Sequence, residues 1–369
     1  MKVPTAKPFF PEEDIKKILS DMEDSLRNGT LTLGPYVKKF EEMFAEYSKT
    51  KYAIAVNSAT SALEIALRYF DVSGKEVVVP TNSFVASANT VHFAGGKPVL
   101  ADINEDTLCL DPDDLNDKIT KNTKGVMLVH LSGLITPHMK EIMKICEDNN
   151  LFLIEDSAQA HGASFDGKKA GTLGDAGCFS FFPTKPMTTG EGGMIITGDD
   201  NLDKFARSLR HHGIEGRNNY PRFGYNWRMS DVNAILGIYQ LQRLDSFISE
   251  RNKIAQKYTK KLAKVKSIKT IQVPSNIVNS YYKFPVILPF DSHQIQKTLK
   301  EKYEIDTSFL YYPPIHLQPV YQTHFGYKAG DLPVAEDVLK RVVCFPMFVG
   351  ITDEQIDYVV EALANEMPV

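Results

Sequence analysis

Through the first two-thirds of the chain, short apolar runs alternate with longer stretches whose apolar residues recur at helical spacing. Ile15, Ile18, Leu19, Met22 and Leu26 fall on one face of a predicted first helix, with Pro11 at its start and Gly29 just past its end. A second helix, about 35–47, carries Val37, Phe40, Met43 and Phe44 on one side. Strands are predicted at 52–56, 76–79, 97–101, 125–129 and 151–155, with helices at 59–69 and 84–93 among the connections. Strands apolar on both faces and joined by helical crossovers imply a mostly parallel sheet covered on both sides.

The pattern changes near residue 180. Segments 178–182 and 193–197 flank a polar, Gly-rich loop, as a hairpin-like pair would. A long helical region follows at about 230–265, then a strand near 282–288 and helices near 293–302, 333–342 and 352–365. The reading is α/β: a large domain with a mostly parallel central sheet, residues 1–245, and a smaller C-terminal α+β domain, residues 246–369. The boundary falls inside the long helix.

Composition narrows the function. Lys and Arg (42) nearly balance Asp and Glu (46) for a net charge of −4, and no long basic run appears, which argues against nucleic acid or an anionic membrane as the main partner. No apolar stretch approaches the roughly 20 residues that span a bilayer, and the N-terminus runs straight into Pro11-Glu-Glu-Asp, so no signal peptide is expected. Cys109, Cys146, Cys178 and Cys344 are scattered without metal spacing and read as small buried hydrophobes in a reducing cytoplasm. Nothing near His161 or His211-His212 suggests a metal triad, and no metal is expected.

Four segments place polar residues beyond the carboxyl ends of predicted strands, where open α/β sheets bind ligands. Asn57-Ser-Ala-Thr-Ser-Ala62 opens a helix whose free N–H groups suit a phosphate, although such a segment alone is more often a plain N-cap. In Ile154-Glu-Asp-Ser-Ala-Gln-Ala-His161 acids follow an apolar strand directly, and a carboxylate there is costly to desolvate without a cation, a donor or a metal. Phe179-Ser-Phe-Phe-Pro-Thr-Lys185, followed by Gly190-Glu-Gly-Gly193, sets a lysine just past an aromatic strand. A partly desolvated lysine has a lowered pKa and attacks carbonyls. Gly224-Tyr-Asn-Trp-Arg-Met229 adds an amide and a guanidinium. Pyridoxal phosphate (PLP) satisfies all four: Lys185 would form the Schiff base, Asp156 would hold the ring-nitrogen proton, and Ser58, Thr60 and Ser180 would hold the phosphate.

With these residues in view, the chain resembles the sugar aminotransferases of the DegT/DnrJ/EryC1/StrS group, within fold-type I PLP-dependent enzymes. The resemblance runs through Thr32-Leu-Gly-Pro35, Asn57–Leu63, Pro80–Asn89, Glu155–Ala163, Gly174-Asp175, Phe179–Lys185, Gly190–Gly193 and Gly224–Met229. It implies that Lys185 also moves the proton during transfer. It adds the Ala59 backbone to the phosphate site, sets Gln159 beside the cofactor ring, and stacks Phe84 on that ring. It sends Asn226 across a homodimer interface to the neighbour's phosphate. Leu134-Ile135 replace the family's usual polar pair, which predicts an altered pocket wall. The family's dehydratase branch has His in place of the Schiff-base lysine, so Lys185 favours amine transfer.

The implied reaction moves an amino group from an amino acid, glutamate by resemblance, to a keto-sugar, nucleotide-linked, in amino-sugar or polysaccharide biosynthesis. Thr30 of the neighbour's N-terminal loop, Tyr312 and His316 are the expected sugar-binding residues, with a turn histidine as the other reading of His316. A non-sugar ketone, such as a cyclitol or small phosphorylated ketone, and a PLP-dependent sugar dehydratase are the alternatives.

Overall fold

The computed structural model describes residues 1–367. Helices α1 (Glu12–Asn28) and α2 (Pro35–Ser48) precede the first strand, β1 (Tyr52–Val56). Then follow α3 (Ala59–Tyr69), β2 (Glu76–Pro80), α4 (Ala86–Phe93), β3 (Lys97–Ala101), α5 (Pro112–Lys118), β4 (Thr123–Val129), α6 (Met139–Asp148) and β5 (Phe152–Asp156). After the short strands β6 (Ser164–Phe165) and β7 (Lys168–Lys169) come β8 (Ala176–Ser180), β9 (Gly193–Thr197), α7 (Asp200–Leu209) and the long α8 (Asp231–Leu262).

Seven strands form one sheet in the order β1-β9-β8-β5-β4-β2-β3. Only β9 runs against the rest: it pairs antiparallel with β8 and with β1, as the predicted hairpin-like pair requires. Side chains alternate across this sheet. Val77 and Val79 join a cluster with Leu63 and Ile65 of α3, whereas Val78 joins Ile142 of α6 and Leu128 on the other face. Both faces are buried, which explains why the strand sequences are apolar at nearly every position.

Two elements differ in detail from what the pattern suggests. On α1 most of the apolar face stays out of the core: Ile18 is buried with Asp14 and Ser25, while Ile15, Leu19 and Leu26 stay exposed. Arg243 of α8 draws the helix in by its polar edge, pairing with the Asp14 carboxylate at 2.9 Å. The helix predicted near 333–342 is present and ends at Arg341, one residue early, because Val342 is already extended and pairs with Ile287.

The C-terminal part holds a three-stranded sheet of β10 (Lys269–Thr270), β12 (Phe284–Ile287) and β13 (Val342–Phe345), while β11 (Ile277–Val278) joins β6 and β7. Helices α9 (His293–Tyr303), α10 (Pro319–Phe325), α11 (Pro333–Arg341) and α12 (Asp353–Glu366) complete it. Helix α8 serves both parts. Ala234, Ile238, Leu241 and Leu244 pack with α2 and β8–β9, and Ile254, Tyr258 and Leu262 pack with β12, β13 and α12. Val3 lies in the second of these clusters and pairs with Ile305. No helix among the described residues is long and apolar enough to cross a membrane.

Candidate active site

Beyond the carboxyl ends of β1, β2, β5 and β8, the crossover loops and the β12 side enclose a cavity of about 440 Å³, the position and size at which α/β sheets hold small ligands. One wall is the β1–α3 turn. Ser58 caps α3 with extended backbone, its hydroxyl accepting the Ser61 N–H at 3.1 Å. Ser58, Ala59 and Thr60 line the cavity with the helix's unpaired N–H groups and positive dipole end. Behind them runs β9, so close that a Cβ on Gly193 would lie 2.4 Å from the Ser58 carbonyl. Only glycine permits that approach. Ser180, at the end of β8, lines the same corner.

The two acids ending β5 point to opposite faces, and their surroundings separate their roles. Glu155 is fully buried and saturated: it accepts from the backbone N–H groups of Gly171, Leu173 and Gly174 at 2.6–2.8 Å and contacts His130 Nε2 at 2.7 Å. Asp156 lines the cavity and accepts only from Ser87 Oγ (2.7 Å) and the Ala158 N–H (3.1 Å). Burial raises its pKa, against those hydrogen bonds and the Lys185 and His130 charges. It makes no salt bridge among the described residues, and a buried carboxylate at a cavity wall is a suitable partner for a cationic group.

Lys185 follows β8 and is held by its own N–H, which donates to the Phe182 carbonyl at 3.0 Å. Its ammonium lies 4.4 Å from the centre of the Tyr282 ring. Burial lowers its pKa below the ordinary 10.5, with Tyr282 and Asp156 opposing. The result is an amine with an enlarged neutral fraction at the cavity wall. Tyr282 in turn donates or accepts at Thr184 Oγ1 (3.1 Å).

Phe84 stands exposed at the mouth, its ring centre 6.5 Å from that of Tyr311. Its carbonyl accepts the Ser87 N–H, so the ring and the Asp156 carboxylate are fixed by one turn. Gln159 lines the cavity but its amide is committed, accepting from the Ser132 N–H (2.8 Å) and donating to Tyr311 Oη (3.2 Å).

Thus Ser58, Ala59, Thr60, Phe84, Asp156, Gln159, Ser180 and Lys185 converge on one cavity. The other four sequence candidates do not. Asn226 is exposed, bridges to His211 and does not line this chain's cavity. Thr30 sits at the α1 C-terminus, its carbonyl accepting from Ser25 Oγ. Tyr312 packs on His293 and Phe309, whereas the left-handed backbone of Tyr311 (φ 56°) turns that neighbouring ring into the cavity instead. His316 is fully buried with both ring nitrogens engaged, Nδ1 with Thr81 Oγ1 (2.8 Å) and Nε2 with Glu336 Oε1 (3.0 Å). It is a strut between β2 and α11 with nothing left for a sugar. Leu134 and Ile135 also miss the cavity: both are buried with Met139 and Leu128.

Sequence reading missed Ser87, Tyr282, Lys283 and Tyr311. Ser87 stands one helical turn after Phe84, and Lys283 is a lone charge within the apolar run entering β12; either spacing could have exposed them. Tyr311 had no such mark. Among the described residues no group of three or more His, Cys, Asp or Glu is arranged to hold a metal.

Comparison with known proteins gives a consistent result. Residues 12–364 match the DegT/DnrJ/EryC1/StrS aminotransferase family. The chain is 37% identical to the GDP-perosamine synthase of Caulobacter vibrioides over 90% of both chains. It is 34% identical to the spore coat polysaccharide biosynthesis protein SpsC of Bacillus subtilis, over 98% of this chain and 96% of that one. The PLP-form of Spr1654 from Streptococcus pneumoniae, described as a sugar aminotransferase, superposes with a TM-score of 0.92 at 26% identity, covering 99% of this chain and 98% of that one.

Proposed function

Because this chain belongs to the DegT/DnrJ/EryC1/StrS aminotransferase family, it is a PLP-dependent aminotransferase acting on keto-sugars, and we propose that its acceptor is nucleotide-linked and its donor is glutamate. GDP-perosamine synthase, a dTDP-amino-trideoxyglucose transaminase and a UDP-N-acetylglucosamine-type 3-aminotransferase among its relatives support the nucleotide-linked acceptor.

The donor set of the cavity fits the cofactor. The open first turn of α3, with Ser58, Thr60 and Ser180, would hold the phosphate. Asp156 would meet the protonated ring nitrogen, a cation suited to its buried carboxylate. Lys185 would take the aldehyde, and Phe84 would cover the ring. When bound, the cofactor supplies an electron sink that lets the C–H bond beside the amino nitrogen ionise. Asp156 would keep the ring nitrogen charged by its own negative charge. The Lys185 amine would accept that proton at Nζ and return it elsewhere, which its burial-lowered pKa favours. Gln159 holds Tyr311 and the Ser132 loop against the opening, fixing the wall on which the substrate rests.

The carrying observation is the meeting of three things in one cavity: the buried Lys185 amine, the buried Asp156 carboxylate, and the N-terminus of α3. The working unit we propose is a homodimer with shared sites, to which Asn226 and Thr30 contribute across the interface. The exposed Leu19, Leu26, Leu31 and Phe223 support it, since large apolar groups in one chain's surface suit a partner. We place the division between the two domains within α8, near residue 245. A cytoplasmic location accords with four cysteines that are all free.

The test is a colour cycle. PLP-loaded protein is bleached with glutamate, freed of excess donor, and offered UDP-, GDP- and dTDP-linked keto-sugars. Return of the visible band with one of them identifies the acceptor. Return only with cyclitol or small phosphorylated ketones would overturn the nucleotide-sugar reading.

A further inference from the structure

We propose that Lys283 binds the α-carboxylate of the amino-acid donor. This rests on the aminotransferase reading above and names the group that holds one of its substrates.

Among the described residues, only two basic side chains line the cavity, Lys185 and Lys283. Lys185 is committed to the carbonyl chemistry. A donor amino acid must enter with its carboxylate ionised, and an anion leaving water needs a cation or donors in return. Lys283 is the remaining cation. Its ammonium makes no ion pair among the described residues, and its one hydrogen bond goes to the Phe309 carbonyl at 3.0 Å. An ammonium has three donors, so two remain.

Position favours the carboxylate over a nucleotide phosphate. Lys185 and Lys283 share one aromatic ring: their nitrogens lie 4.4 and 6.0 Å from the centre of Tyr282. The α-carboxylate is attached to the carbon that reacts, so it must sit close to the lysine that exchanges that proton. A diphosphate on a sugar is separated from the reacting ketone by the width of the sugar ring. Tyr311 supplies a second contact. Its ring lies 5.2 Å from the Lys283 nitrogen, and its hydroxyl accepts from Gln159 Nε2, which leaves its own proton to donate into the cavity. Lys283 and Tyr311 together offer the paired donors that a carboxylate takes.

The test follows single-turnover bleaching of the PLP-loaded enzyme against glutamate concentration, or against whichever amino acid bleaches the wild type. Lys283→Met should raise the half-saturating donor concentration at least tenfold while the visible band and cofactor affinity stay as in the wild type. Lys283→Arg should remain within about threefold, which keeps the test valid if the methionine variant folds poorly. Inhibition by UDP, GDP or dTDP should be unaffected by either. A methionine variant with wild-type donor saturation would overturn the assignment, and weakened nucleoside-diphosphate inhibition alone would give Lys283 to the acceptor. A wild-type protein that no amino acid bleaches would refute the aminotransferase reading itself, a different outcome from an indifferent Lys283 variant.

Discussion

Gly193→Ala tests how the sheet shapes the cofactor site. The added Cβ would lie 2.4 Å from both the carbonyl carbon and oxygen of Ser58 and 2.6 Å from the Ala59 nitrogen, against 3.4 Å or more for ordinary contact. All three atoms are backbone, so no side chain can rotate away. Gly193 is itself pinned, paired with Val56 on one side and Ser180 on the other. The β1–α3 turn must therefore retreat by about 1 Å, and overpacking of this kind costs about 1–3 kcal/mol. That turn carries the N–H groups proposed to hold the phosphate, and each charge-assisted bond lost is worth about 1.5–3 kcal/mol. The expected result is a PLP dissociation constant raised roughly 10- to 100-fold, using 1.4 kcal/mol per tenfold. Titration of the apo-protein with PLP, followed by visible absorbance, measures it. Gly198→Ala is the control, since its Cβ would meet nothing within 4 Å. Wild-type affinity in Gly193→Ala would refute the claim that this turn holds the phosphate.

Asp156→Asn should slow the donor half-reaction by about 10- to 150-fold, the worth of a charge-assisted bond, as read by stopped-flow bleaching; a change under threefold would remove Asp156 from the mechanism. His161 is fully buried with neither ring nitrogen bonded, and burial, with the Lys185 charge, depresses its pKa from 6.5 to about 3. Between those values the unfolded chain binds a proton that the folded chain refuses, so stability falls as pH drops, by about 2 kcal/mol from pH 7 to pH 5. His161→Leu should flatten that part of the slope in urea titrations at the two pH values, and an unchanged slope would contradict it. His316→Ala should cost about 2–4 kcal/mol by removing the two ring hydrogen bonds to Thr81 and Glu336 and leaving a cavity where the fully buried ring stood, yet leave PLP affinity within threefold in the same titration. A selective loss of substrate binding with full stability would restore its sequence-expected role.

Much of the fold was legible because strands buried on both faces leave continuous apolar runs, and β1, β3, α3 and β9 begin and end where the pattern placed them. The strand β13 was not, since Val342–Phe345 follows α11 without a turn residue and its partner, β12, is distant in sequence. The exposed face of α1 shows the limit of periodicity. It reports an apolar stripe, not what the stripe meets, and here Arg243 set the helix's orientation. The cofactor residues were legible because each lies at a strand end, where sequence order and spatial convergence coincide. Glu155 and Asp156 could be told apart only through their partners, which come from the loop at 171–174 and from α4. Tyr312 and His316 do not line this cavity for a similar reason. One left-handed residue and two buried hydrogen bonds, none visible in a pattern, decide which side chains of the segment face the cavity.

The central claim is that the amine of Lys185, and no other, carries the cofactor. Borohydride reduction of the PLP-loaded protein makes the carbon–nitrogen link permanent, and peptide mass mapping then locates it. The account predicts the added mass on the peptide containing Lys185 and none after Lys185→Ala. Label found on Lys283 instead, or a visible band that survives in the alanine variant, would contradict it.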